Sequence, residues 1–215
     1  MKTLKTLKII ATAVLVAGTV QTASAATVTY TNAEATPKMQ LVIDDAASPG
    51  KFRFSLSTLI GTADFLGLAF NFGGTSIAQA NISLVSATLA NDTPTTPGLV
   101  LFGNNTGSQN VCGNGCNFNG SGSATLFDYI IRIGENGGGS KYVKTVVFDI
   151  MTAGSLATNP FSGFAIRAQS TTGPSSSIKT NLTPPAPVPL PAAGVLLLGA
   201  LGGLGFMGRR RRKAA

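Results

Sequence analysis

Two cysteines, Cys112 and Cys116, are the residues whose type and spacing most directly suggest chemistry. The Gly-Asn-Gly between them is flexible enough for a small ring to close, so we predict a disulfide that braces a glycine-rich loop. The alternative, a redox-active pair, lacks the Cys-x-x-Cys spacing and the helix N-terminus that lower a thiol pKa. Two cysteines are also too few for a thiolate metal site, and we predict no metal ligands.

Histidine and tryptophan are both absent from the chain. Their absence removes the commonest general base, the commonest metal ligand and the best stacking platform, and it excludes a Ser-His-Asp triad. The neighbouring carboxylates Asp44 and Asp45 follow a short apolar run and precede turn residues, which indicates a capped turn rather than a glycosidase pair. We therefore predict no catalytic residue, no cofactor and no enzymatic activity.

The glycine-rich stretch over residues 133–139 superficially resembles a phosphate-binding loop. It has neither the lysine-serine ending nor the glycine order of the known phosphate-binding motifs, so a hairpin connection is the better interpretation. Glu135 and Asn136 within it offer oxygen ligands for calcium. The acidic residues lack the spacing of a calcium loop, and calcium is kept only as an alternative.

The formal charge of +8 belongs to the two ends of the chain. Three lysines lie in the first eight residues and a basic cluster lies at residues 209–213, which leaves eight basic residues to balance the eight acidic ones between them. The central part is formally neutral, and it has no basic stripe that would follow a phosphate backbone. We predict that the protein does not bind nucleic acid.

Residues 1–25 have the organisation of a secretory signal peptide. Lysines precede an apolar core over residues 9–20, and the small residues Ala23 and Ala25 then form a signal peptidase site. We predict that the Sec machinery exports the chain and that the mature protein begins at Ala26.

Alternating apolar residues and turn chemistry dominate residues 26–170. Phe52, Phe54 and Leu56, for example, share one face of a strand. Eight strands are predicted, at residues 39–43, 51–57, 65–72, 81–89, 99–102, 125–133, 142–150 and 164–169. The fold class is therefore all-β: an antiparallel β-sandwich of about eight strands, of which a jelly roll is one arrangement.

Period-two alternation also predicts the faces on which single residues lie. It places Leu66 with Leu68, Phe70 and Phe72, and Phe127 with Tyr129, Ile131 and Ile133. Arg167 falls among small residues and is interpreted as a solvated strand position.

Residues 171–187 are rich in Ser, Thr, Gly and Pro. Such a segment lacks the apolar surface that folding needs, and its prolines keep it extended. We predict a spacer between the β-domain and the chain's C-terminal end.

The last part of the chain, residues 188–213, has three sections in a fixed order. The box Val188, Pro189, Leu190, Pro191 and Ala192 comes first, and an uncharged apolar run over residues 192–208 follows, which we predict to be a transmembrane helix. The basic cluster Arg209, Arg210, Arg211, Arg212 and Lys213 is costly to move across a bilayer and acts as a stop-transfer signal. The run is slightly shorter than the ~20 residues of a comfortable span, which suits a transient anchor.

This order of box, apolar run and basic cluster resembles the PEP-CTERM class of bacterial sorting signals, in the variant with a Val-Pro-Leu-Pro-Ala box. The resemblance implies that an exosortase-like membrane protease removes the tail of a Gram-negative protein and passes it to the cell surface or the extracellular matrix. It also implies a link to exopolysaccharide and biofilm. The alternative is a carbohydrate- or calcium-binding module that the same helix anchors permanently.

Overall fold

The described residues of this chain form a sheet of ten antiparallel strands. The computed structural model describes residues 26–113, 115–119, 126–134 and 142–184. In chain order the strands are β1 (Thr27–Asn32), β2 (Lys38–Asp44), β3 (Lys51–Ile60), β4 (Asp64–Phe72), β5 (Ile82–Leu89), β6 (Leu99–Gly103), β7 (Tyr129–Ile133), β8 (Val143–Met151), β9 (Phe161–Gln169) and β10 (Ser177–Thr183). A 3₁₀ turn over Gln79–Asn81 precedes β5.

The strands follow the order β5-β8-β3-β2-β1-β10-β9-β4-β7-β6 across the sheet. We call the first five strands of this order the first half-sheet and the last five the second half-sheet. Strands β1 and β10 join the two halves through only two residue pairs, Thr31 with Thr183 and Asn32 with Leu182. This short junction is the seam at which the sheet turns from one half to the other.

The two half-sheets face each other across one core of phenylalanine rings. Phe54 of β3 lies 6.2 Å from the ring of Phe70 in β4, and 5.1 Å and 6.4 Å from the rings of Phe161 and Phe164 in β9. Tyr30 of β1 also reaches across the core to Phe164, with ring centroids 4.7 Å apart. Because such pairs stabilise beyond the area that they bury, the rings hold the two halves together. The prediction that Phe52, Phe54 and Leu56 share a buried face is confirmed.

The second half-sheet is buried on its outer face as well. A second apolar cluster covers that face and comprises Leu66, Ala69, Cys112, Cys116, Phe118, Phe127, Ile130 and Ala165. The face predictions for Leu66 and Phe127 are therefore wrong. A register shift between Phe65 and Gly67 turns Leu66 away from the main core, and Phe127 precedes β7 and pairs with Gln109 instead of continuing that strand.

All eight predicted strands are present, and the described residues contain two more. Both additional strands lie at the seam, where β1 pairs with β2 and β10 pairs with β9. The predicted spacer is therefore wrong over residues 177–183, because β10 buries Leu182 and packs Ile178 against the core. The folded domain extends to Thr183, and its sandwich-like pairing of half-sheets is antiparallel throughout.

A buried carboxylate links three strands of the core. Asp64 at the start of β4 is 3% exposed. Its Oδ1 accepts a hydrogen bond from the Val143 amide, and its Oδ2 accepts one from the Gln169 side chain, both at 2.9 Å. Burial raises the pKa of Asp64, and the two hydrogen bonds oppose that effect. The Asp64 carboxylate thus joins β4 to β8 and β9 through hydrogen bonds.

The side chain of Gln79 caps the outer edge of the second half-sheet. Its Nε2 donates to the Leu99 carbonyl at 3.0 Å, and its Oε1 accepts from the Leu101 amide at 2.7 Å. An amide side chain thereby replaces a neighbouring strand, which is one way of protecting an edge from pairing with another chain. With this contact the sheet is nearly closed on itself.

We predict that Gln79→Ala lowers the free energy of unfolding by on the order of 1 kcal/mol, because two hydrogen bonds to the β6 edge are lost. Hydrogen exchange of the Leu101 amide should accelerate at the same time. Gln79→Met is the control, since it keeps the length of the side chain and removes both hydrogen bonds. Unchanged Leu101 exchange in both variants contradicts the edge-capping role.

Candidate functional site

The predicted cysteine pair is joined in the structure. The Cys112 and Cys116 sulfurs lie at bonding distance with Cα atoms 5.1 Å apart, and both side chains are buried. The sulfurs pack on Gly67 of β4, where a Cβ would stand 2.9 Å from the Cys116 Sγ and 3.3 Å from the Cys112 Sγ. A side chain at position 67 would therefore push the disulfide away from the sheet.

The disulfide holds a loop over the outer face of the second half-sheet. Phe118 follows the disulfide and packs edge-on against Phe127, with ring centroids 5.5 Å apart. Because both cysteines are at most 1% exposed, a thiolate from solvent has no path to the disulfide in the folded state. The pair is placed to stabilise the loop rather than to exchange electrons.

Two cations lie opposite each other beside this loop. Arg167 of β9 and Lys179 of β10 lie directly opposite each other in the sheet. Like charges in this position repel each other and destabilise the pairing. The Lys179 ammonium donates to the Asn117 Oδ1 at 2.6 Å and also to the Asn119 carbonyl. Lys179 therefore fastens the far end of the disulfide loop to the seam strand.

The solvated position predicted for Arg167 is wrong in part, because its guanidinium is half-buried. It donates to the Ala168 carbonyl at 2.7 Å and to the Ser177 hydroxyl, whereas its Nε is buried without a hydrogen-bond partner. Burial lowers the pKa of Arg167. The pKa of Lys179 is lowered first by burial and then by the charge of Arg167. Among the residues that the structure describes, neither cation forms an ion pair with a carboxylate.

A polar cleft of about 320 Å³ lies next to these cations. We call it the seam cleft: it lies between the β1–β2 loop, which contributes Glu34, and the β9–β10 loop, with Lys179 on β10 at its side. Several polar groups of the seam cleft already form hydrogen bonds within the protein. The Glu34 carboxylate accepts hydrogen bonds from Asn32 and Thr180, both at 2.9 Å, and the Thr172 hydroxyl accepts one from the Thr62 amide at 3.0 Å.

The carboxylates of the domain lie apart from each other, and each makes its own structural contacts. The Asp44 side chain accepts the Ala46 and Ala47 amides at 2.8 Å and 3.1 Å, which is the capped turn that the sequence indicates. The Asp149 side chain pairs with Arg53, at 2.8 Å to its Nε. Within the described ranges, the structure brings together no group of three or more His, Cys, Asp and Glu residues that is placed to hold a metal ion.

The residues of the predicted targeting signals lie outside the described residues. This applies to the leader with Ala23 and Ala25, to the box over residues 188–192, to the predicted span over residues 192–208 and to the basic cluster. The candidate calcium ligands Glu135 and Asn136 also lie outside them. In the part of the chain that the structure describes, no helix has the length and apolarity needed to cross a bilayer.

The sequence did not identify two residues of the seam cleft, Glu34 and Lys179. It also missed the two seam strands, β1 and β10. The available signal was weak, since only Ile178 and Leu182 alternate with polar residues in β10. The chain matches no protein-family model, no curated protein and no solved structure. Its function is therefore inferred from its own residues.

We predict that the double variant Cys112→Ala/Cys116→Ala loses about 2 kcal/mol of unfolding free energy, because the disulfide closes only a short loop of the unfolded chain. Urea denaturation without reductant measures the loss. Native wild-type protein should also resist dithiothreitol, with thiols becoming alkylatable only in urea. Equally fast reduction in the native and unfolded states contradicts the buried position of the disulfide.

Proposed function

We propose that this chain is an exported cell-surface or extracellular-matrix protein whose C-terminal tail an exosortase-like membrane protease removes. The observation that carries the proposal is the order of the three sections in residues 188–213. A proline-containing box, an apolar run and a basic cluster in this order combine a recognition segment with a weak membrane anchor and a stop-transfer signal. Sec export, signal peptidase and a transient stay in the membrane belong to the same proposal.

The chemistry of the described domain supports export. The disulfide between Cys112 and Cys116 belongs to an oxidising compartment, such as the one beyond the inner membrane of a Gram-negative bacterium. Asn, Gly, Ser and Thr in the loops, together with a balanced central charge, suit a protein of the cell surface. The facing half-sheets also favour the predicted β-sandwich as the architecture that the tail delivers.

The short connection between domain and box makes the proposal more specific. Strand β10 ends at Thr183, and residues 184–187 separate it from Val188. Four residues reach at most ~14 Å when fully extended. The protease must therefore work close to the seam end of the folded domain, and the domain must stand near the membrane surface until the tail is removed.

The seam cleft does not favour a second function. A polysaccharide site needs stacking surfaces and free polar groups, yet Glu34 and Thr172 already form internal hydrogen bonds, and the described residues that line the cleft include no aromatic side chain. A calcium site needs several converging oxygen ligands, and Glu34 is the one carboxylate among the described residues that line the cleft. A link to exopolysaccharide is retained through the sorting proposal alone.

We predict that replacing Val188–Ala192 by Gly and Ser abolishes tail removal, because the recognition segment is lost while the anchor remains. Antibody detection of the domain in membrane and surface fractions measures the outcome, and the variant should accumulate in the membrane. The matched control replaces Pro184, Pro185 and Pro187 by Ala and keeps the box. Equal surface delivery of the box variant and the wild type contradicts exosortase-like processing.

A further inference from the structure

Ala26 is attached to the turn after β2 before the first strand begins. Its backbone N–H donates to the Asp45 Oδ1 at 3.1 Å, and the Asp45 N–H donates back to the Ala26 carbonyl at 3.4 Å. These contacts extend the β1–β2 pairing by one position beyond Thr27 and Asp44. Ala26 is also the residue that becomes the N-terminus if the leader is cut after Ala25.

The second oxygen of Asp45 is used by a distant part of the chain. Oδ2 accepts the Leu156 N–H at 2.7 Å, and Leu156 is a buried residue of the β8–β9 connection. One carboxylate thus ties the start of β1 and the turn after β2 to the β8–β9 connection. The Leu156 bond, followed by the Ala26 bond, lowers the pKa of Asp45 below its ordinary value. Asp45 is therefore an anion held by two backbone donors at the edge of the domain.

We propose that the Asp45 carboxylate forms an ion pair with the α-ammonium group that removal of the leader creates at Ala26. Hydrolysis of the Ala25–Ala26 peptide bond places the hydroxyl of water on the Ala25 carbonyl carbon and one hydrogen on the Ala26 nitrogen. That nitrogen takes a further proton from solvent and becomes an ammonium group. A neutral N–H donor facing Asp45 is thereby replaced by a positive charge. The inference rests on the proposed function, because it requires export and cleavage at Ala26.

Asp45 is the nearby carboxylate with which an ammonium group at Ala26 can pair, because the other charged groups around it are absent or already have partners. Strand β1 contains no charged residue, and neither does the β8–β9 connection over residues 152–160. Asp44 is occupied by its own turn amides. On the adjacent β3, Lys51 and Arg53 both lie toward Asp149, at 4.0 Å and 2.8 Å. An ammonium group at Ala26 meets no competing ion pair at Asp45 among these contacts.

The pairing has a defined dependence on pH. A carboxylate neighbour raises the pKa of the α-ammonium above its ordinary range of about 7.7–8.0, so this stabilisation is complete below that range and is lost as pH rises through the raised pKa. The stability that Asp45 contributes depends on pH in the opposite direction, because the pKa of Asp45 is lowered. This stabilisation is present above the ordinary carboxyl pKa and is lost as pH falls through the lowered pKa. Processed protein should therefore gain stability from the pair between these limits.

The direct test is the pKa of the N-terminal amine of the processed protein recovered from cells. Pulse acylation across a pH series, followed by mass spectrometry of the N-terminal peptide, gives the midpoint for folded protein and for the same protein in urea. We expect the folded midpoint to lie higher by about half a unit to one unit, which is about two- to fivefold less free amine at pH 8. Asp45→Asn should bring the folded midpoint back, whereas Asp44→Asn is the matched control and should not.

The outcomes separate this inference from the proposed function. Equal midpoints in folded and unfolded wild type, with Ala26 as the first residue, overturn the pairing and leave export intact. An N-terminal peptide that begins elsewhere also removes the pairing but keeps leader cleavage. An intact leader overturns both. Should Asp45→Asn not fold, the comparison of folded with unfolded wild type decides the question by itself.

Discussion

The packing of phenylalanine rings between the two half-sheets is the constraint on which the rest of this structure depends. Phe54 touches rings from β4 and β9 of the facing half, while it also stacks on Phe148 of its own half. With no α-helix in the described ranges, the ten strands bury their inner apolar faces against each other. The seam at β1–β10 and the cap at Gln79 add hydrogen bonds to an arrangement that the rings already hold together.

The second half-sheet needs a separate cover because its outer face is apolar too. The disulfide loop provides that cover, and Gly67 gives the sulfurs room to lie directly on β4. Lys179 fastens the loop from the seam side. The charged residues of the domain mostly serve such internal contacts, as Asp64 does for β4, β8 and β9. This explains why the described domain offers little free polar chemistry for a ligand.

The sequence predicted the elements that follow simple alternation and missed those that do not. Strand β3 was predictable because apolar and polar residues alternate strictly from Lys51 to Ser57. Strands β1 and β10 were missed because threonine and asparagine occupy many of their positions, so their place at the seam follows from pairing rather than from apolar content. The faces of Leu66 and Phe127 were wrong because a register shift interrupts the alternation at Leu66 and because Phe127 lies before β7, so both side chains join the second apolar cluster. Arg167 was misjudged because its guanidinium contacts β10, the neighbouring strand that was not predicted.

The most direct measurement of the central claim is the intact mass of the protein recovered from the cell envelope and from the medium. Delivery by a removable tail predicts a chain that begins at Ala26 and ends within or just after residues 188–192. The domain would then leave the membrane with its disulfide intact and without the basic cluster. A membrane-bound chain whose mass still includes Arg209–Lys213, with no shorter form at the surface, contradicts that claim and identifies the tail as a permanent anchor.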